Sequence, residues 1–205
     1  TAVNNGCTST DAVIVNVNPK PIVNAGNSSS ICYGSTTNLY ATGGEIYKWD
    51  NGVTTSKQVV KPLVTTTYNL TTTNSFGCSA SDYTYVIVNP LPKANAGSSQ
   101  QLCIGNTTTI LGTGGVNYKW SNGITTASQR VSPITNVTYN LTVTDAKGCS
   151  ANDYTYITIN QLPKANAGSS QYIYNGNSAT ITGTGGVSYK WSNGITTASQ
   201  IVKPI

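Results

Sequence analysis

Five cysteines and six carboxylates are the groups in this 205-residue chain that could do chemistry, since it contains no histidine. Cysteine can attack a substrate, hold a metal or form a disulfide, and spacing discriminates among these uses. Zinc ligands usually arrive as tight C-x₂₋₄-C pairs, and no such pair occurs. Instead Cys32 and Cys78 lie 46 residues apart, as do Cys103 and Cys149, while Cys7 stands alone. That spacing predicts two disulfides, Cys32–Cys78 and Cys103–Cys149, with Cys7 unpaired in this segment. Disulfides imply an oxidising compartment. Closing a loop of that size is worth roughly 4 kcal/mol in chain entropy, which matters to a small core.

The carboxylates are Asp11, Glu45, Asp50, Asp82, Asp145 and Asp153. Asp11, Asp82 and Asp153 recur 71 residues apart, one per period, just before a strand-like run. Glu45 gives way to Val116 and Val187, and Asp50 to Ser121 and Ser192. No pair of acids recurs, so general acid–base catalysis has no candidate residues and the chain reads as a non-enzyme. One recurring Asp does not make a calcium site either; no metal or cofactor is expected. Lys48, Lys119 and Lys190 alternate outward, away from any buried acid, which argues against a lysine–asparagine isopeptide bond.

The period itself is the dominant signal. Gly26, Gly97 and Gly168 fall on it, as do Trp49, Trp120 and Trp191, and 34 of 45 positions agree between 90–134 and 161–205. Such identity means a tandem array. The period places 19–89 and 90–160 as full repeats, 1–18 as the C-terminal tail of an incomplete one, and 161–205 as the N-terminal part of another. Having no Met, the chain is expected to be a processed or internal segment, a window on a longer repetitive polypeptide. Head-to-tail joining of copies, with 1–18 completing the repeat begun at 161, meets two objections. Tyr174 stands where a partner for Cys7 is expected, and the counterpart of 135–142 is missing.

Within 90–160, "VNYKW" (116–120) and "VTYNLTVTD" (137–145) alternate apolar and polar residues, "SNG" (121–123) and "AKG" (146–148) are turns, and no helical period is present. About seven short strands per repeat predict an all-β fold of tandem β-sandwiches. Val86, Val88, Ile157 and Ile159 read as the inward face of the last strand. Tyr83, Tyr85, Tyr154 and Tyr156 read as outward, available for surface contact. The order cysteine, strand tryptophan, cysteine makes Trp49 and Trp120 core anchors, and the period adds their counterpart Trp191.

The words "LCIGNTTTILGTGG", "YKWSNG", "TYNLTVTDAKGCSA" and "YITINQLPKANAG" resemble the tandem Ig-like or PKD-like repeats of secreted Bacteroidetes surface proteins of adhesin or gliding-associated type. The resemblance covers essentially the whole chain and departs at Tyr174, where the first cysteine is lost. It implies an extracellular, secreted or cell-surface β-sandwich array without chemistry of its own.

Composition fits that expectation. Only 8% of residues are charged, and the ten Lys and one Arg behind the net charge of +5 are spread along the array, so no basic stripe marks a nucleic-acid binder. No apolar run is long enough to span a bilayer, so no membrane insertion is expected. The junctions "NPKPIVNAG", "NPLPKANAG" and "NQLPKANAG" hold prolines and no flexible spacer, which predicts stiff connections between units roughly 30–40 Å long. The expected role is a filament or adhesin stalk segment whose partners are neighbouring repeats and other copies of the same chain. The alternative is a carbohydrate-binding or adhesive array that meets a glycan or cell-surface ligand through the outward tyrosines.

Overall fold

The computed structural model describes residues 1–203; the last two positions of the predicted fourth segment lie outside the described residues. Two short strands open the chain, β1 (Ala2–Asn4) and β2 (Cys7–Ser9), paired antiparallel around an Asn5-Gly6 turn. Both turn residues have positive φ, the conformation that a two-residue hairpin requires and that Asn and Gly tolerate. Residues 10–23 then run outside any strand, with Val13, Val15 and Val17 each at least 79% exposed.

Between Ser29 and Asn89 lie six strands: β3 (Ser29–Cys32), β4 (Thr37–Tyr40), β5 (Ile46–Trp49), β6 (Lys57–Val60), β7 (Thr66–Thr73) and β8 (Ser79–Asn89). The same six recur 71 residues on as β9 (Gln100–Cys103), β10 (Thr108–Leu111), β11 (Asn117–Trp120), β12 (Ser128–Val131), β13 (Val137–Thr144) and β14 (Ser150–Asn160). A third copy contributes β15 (Ala179–Thr182) and β16 (Ser199–Val202), which pair antiparallel.

Each set of six makes an immunoglobulin-like sandwich. One sheet has the order β3-β8-β7-β5, repeated as β9-β14-β13-β11; the other is β4-β6, repeated as β10-β12. The first strand of each four-stranded sheet runs parallel to the last, with Cys32 opposite Asn89 and Cys103 opposite Asn160. The expected seventh strand is reduced to single bridges, Asn24 to Thr42 and Asn95 to Thr113, that extend the two-stranded sheet. Gly43 permits the first of these. Its φ is +92°, and a Cβ there would collide with the carbonyl oxygen of Ile22.

Period-two alternation fills the core. Along β8, Thr84 and Val86 are buried while Tyr83, Tyr85 and Ile87 face out; along β14, Thr155, Ile157 and Ile159 are buried. Leu39, Trp49, Val60, Tyr68, Leu70 and Val86 pack together in the first core. Trp49 sits opposite Leu70 of β7, which seals it.

The chain forms two compact units. The first comprises Thr1–Lys93, Gly114–Val116 and Val143–Ala151; the second comprises Ala94–Thr113, Asn117–Thr142 and the chain from Asn152 onward. The tip of the β13–β14 hairpin thus belongs to the first unit.

One expected core anchor is not in a core. Trp49 and Trp120 are each 1% exposed, whereas Trp191 is only half-buried. Among the described residues no strand lies across it as β7 lies across Trp49. Burial of that ring depends on a neighbouring strand, and the local sequence around it is insufficient.

Candidate functional site at a cystine between repeats

The cysteines depart from the expected pairing. Cys32 is bonded to Cys149, 117 residues away, with a Cα–Cα distance of 5.5 Å, while Cys7, Cys78 and Cys103 are free. The expected bonds Cys32–Cys78 and Cys103–Cys149 are corrected by strand geometry. Cys32 lies opposite Asn89, at the far end of β8, and Cys78 lies just before Ser79, at its start. Eleven residues at about 3.3 Å each put the two ends some 30 Å or more apart. A disulfide tolerates at most about 7 Å between Cα atoms. The same argument separates Cys103 from Cys149 along β14.

The bond that does form joins the first cysteine of one repeat to the second cysteine of the next. A cap built by one side chain holds Cys149 in place. Asp145 Oδ1 accepts hydrogen bonds from the Lys147 and Cys149 amides, both at 2.9 Å, and Gly148 closes the turn with φ of 82°. Cys149 is fully buried. On the other side, Asn89 is buried and donates from Nδ2 to Ser30 Oγ, while its carbonyl accepts from the Tyr33 amide, fixing β3 beside the end of β8.

The hairpin tip of the first repeat uses the same turn with Asn74 in place of Asp145. Asn74 Oδ1 accepts from the amides of Phe76 and Cys78 at 3.1 and 3.0 Å. Asn74 also donates from Nδ2 to the Pro19 carbonyl, and the Cys78 thiol points at the Asn18 carbonyl, 3.8 Å away. Asn18 is the counterpart of Asn89, so Cys78 approaches the position that matches the end of a last strand, although residues 10–23 form no strand here.

The recurring aspartates have a structural task that the sequence did not disclose. Asp82 Oδ2 accepts from the Ala25 amide and Asp153 Oδ2 from the Ala96 amide, each at 2.8 Å, tying the start of each repeat to its last strand. Asp11 accepts from its neighbour Ala12. Asp50 Oδ2 accepts from the Asn69 amide and Nδ2, and in the next repeat Ser121 Oγ takes the amide of Asn140. Every one of these acids is engaged with backbone or amide. No group of three or more metal-ligating residues gathers among the described residues, and no helix is long and apolar enough to cross a membrane.

The tyrosines lie on the outer faces of β8 and β14. Tyr83 and Tyr154 are 61% and 62% exposed, and Tyr85 and Tyr156 about 40%. Tyr83 has Asn69 as its cross-strand neighbour and Tyr85 has Thr67.

No protein-family model matches the chain, and no curated protein matches it. Among solved structures it is similar to the first two immunoglobulin domains of DIP-gamma (9% identity, 69% of this chain and 98% of that one, TM-score 0.35). It is also similar to the eight N-terminal immunoglobulin domains of Down syndrome cell adhesion molecule (14% identity, 80% and 32%, TM-score 0.38). A third similar structure is the insect immune protein hemolin (15% identity, 68% and 47%, TM-score 0.39).

Proposed function

We propose that this chain is a structural repeat segment of a long extracellular surface filament or adhesin stalk, of the kind that secreted Bacteroidetes Ig-like repeats build. The repeats are 19–89 and 90–160, and 1–18 and 161–205 are parts of further ones. The observation that carries this reading is the Cys32–Cys149 bond. A disulfide within a domain resists only that domain's unfolding. One that joins successive repeats makes the junction itself covalent twice over, once through the main chain and once through sulfur. A segment that transmits tension from unit to unit needs such a junction, and a catalytic module does not. A disulfide between repeats also supports a setting in an oxidising compartment. The engagement of Asp82 and Asp153 in backbone tethering fits a chain with no chemistry of its own.

Electron microscopy of the native material is the test. Fibres with an axial repeat near one unit, roughly 30–40 Å, that fray under reductant are expected. Isolated particles insensitive to reductant overturn the reading.

A second reading rests on the paired outward tyrosines, with Asn69 beside Tyr83. Stacked on a sugar ring, they make an adhesive array in which the same repeats hold a glycan. A glycan-array signal abolished by Tyr83→Ala and Tyr85→Ala together would favour it; no signal retires it.

A further inference from the structure

A disulfide adds a second covalent route through a chain, and tension follows the shorter one. Cys32 and Cys149 lie 117 residues apart in the main chain. They enclose β4 to β8 of the first full repeat, the proline junction at 90–93, and β9 to β13 of the second. When the chain is pulled from points before Cys32 and after Cys149, the load runs along β3, crosses the cystine and leaves along β14.

Both flanking strands suit that task. β3 ends at Cys32, and β14 begins one residue after Cys149. Strands are already extended at about 3.3 Å per residue, so neither has much slack to give before the sulfur bond is taut. β14 is also held along its length, with β13 on one side and β9 on the other. Asp153 accepts from the Ala96 amide, and Thr155 donates to the Ser98 carbonyl at 3.0 Å.

The enclosed span is less secure. Gln58 Nε2, Thr72 Oγ1 and Thr84 Oγ1 are buried within it and have no hydrogen-bond partner among the described residues. Buried polar groups left unpaired weaken the sandwich around them. The cystine itself is open to attack from one side only: Cys149 is fully buried, whereas Cys32 is half-buried.

We propose that Cys32–Cys149 is a thiol-releasable load bearer. Closed, it keeps residues 33–148 out of tension. Opened by a low-molecular-weight thiol while the repeats are folded, it passes the load to that span, which unfolds and lengthens. This rests on the stalk reading and names how such a segment is regulated. The length released is that of 117 residues at 3.3–3.6 Å each, about 400 Å, less the 5.5 Å that the bond spans.

The chemistry is thiol–disulfide exchange. A thiolate attacks the Cys32 sulfur, and Cys149 leaves as a thiolate that takes up a proton. A second thiol then displaces Cys32 from the mixed disulfide. Two small-molecule thiols are oxidised to one disulfide as the cystine is reduced to two cysteines.

The test holds the 205-residue chain by peptide tags at its two ends in optical tweezers, at the highest constant load under which the oxidised chain keeps its length. Dithiothreitol, which carries both thiols, is then admitted. Expected is a lengthening of about 400 Å in total that begins only after the thiol arrives. Cys149→Ser should lengthen at that load without thiol, and Cys78→Ser should behave as the parent does. A chain cut at a protease site inserted between Asn89 and Ala94 should hold the load until thiol is added, and then part. A thiol-treated chain that keeps its length, with its bond shown broken by mass spectrometry, overturns the proposal, because the folded sandwiches then carry the tension unaided. So does a cut chain that parts before thiol is added, or a bond that thiol opens only after the repeats have unfolded. Fibres in the microscope without this lengthening sink the load route alone; lengthening without fibres sinks the stalk reading.

Discussion

Residues 115–129 and 186–200 differ at one position, Asn117 against Ser188, yet only the first forms a strand at its tryptophan, β11. The local hydrogen bonds are the same in both. Trp120 donates from its indole to the Thr126 carbonyl and Trp191 to that of Thr197; Asn122 donates to Gln129 and Asn193 to Gln200. The turn is therefore encoded locally and survives in either setting. What differs is the neighbour. β11 has β13 beside it, and Trp120 is sealed; the counterpart in the third copy has no such strand among the described residues, and Trp191 is half-open. Strand state and burial belong to the pairing, as is usual for β structure.

The largest expected effect breaks that comparison directly. Trp120→Ala should cost the second unit about 3–5 kcal/mol, the usual loss for a sealed aromatic. Trp191→Ala should cost a small fraction of that. Denaturant unfolding of the two variants measures it, and acrylamide should quench Trp191 emission well before that of Trp49 and Trp120. Equal costs would mean that the two rings are equally buried in solution.

Next in size is the cystine. Cys149→Ser should lower unfolding stability by about 2–5 kcal/mol, since a loop of 117 residues is released in the unfolded chain. Cys103→Ser, at the counterpart of Cys32, should leave the monomer's stability unchanged. Differential scanning calorimetry of both variants under non-reducing conditions distinguishes them. A Cys149→Ser midpoint equal to that of the parent would show that the bond does not close in solution.

These pairs also mark what could be read in the sequence. The 71-residue period, the turn at "SNG", the inward Val86 and Ile157 and the outward Tyr83 and Tyr154 were legible, because alternation and Asn-Gly chemistry are local. The cysteine pairing was not. A spacing of 46 within a repeat and of 117 between repeats are equally periodic, so the period cannot choose between them. The choice depends on the parallel pairing of β3 with the far end of β8, a contact between residues 57 apart. One clue was present: "SASDYTYVIVN" after Cys78 is long enough to carry the chain away from any partner at its start. The tethers from Asp82 and Asp153 were invisible for the same reason, each acceptor meeting an amide 57 residues earlier.

A smaller effect sharpens the comparison between the two full repeats. Thr72 is fully buried and its hydroxyl has no hydrogen-bond partner among the described residues, whereas the counterpart Val143 is equally buried with no hydroxyl to satisfy. Thr72→Val should therefore stabilise the first unit by about 1 kcal/mol, and Val143→Thr should destabilise its surroundings by about 1–3 kcal/mol. Paired urea titrations read both signs. A destabilising Thr72→Val would mean that the hydroxyl is satisfied in solution.

The smallest effect appears at alkaline pH. Tyr68 is buried in the first core, and burial raises its phenol pKa above the usual 10.0; the Asp50 carboxylate adds to the rise. A pKa raised on folding means that the unfolded chain releases the proton first. The stability Tyr68 contributes is thus complete below about pH 10 and is lost as pH climbs from there through the raised value. Tyr68→Phe should flatten that part of the stability curve. Asp50→Ser, which copies Ser121 of the next repeat, should narrow the window by removing the carboxylate and leaving the larger contribution of burial. Unfolding curves between pH 9 and 12 check both. If Asp50→Ser flattened the slope as fully as Tyr68→Phe, the carboxylate rather than burial would govern the phenol, and the two repeats would differ in charge more than in packing.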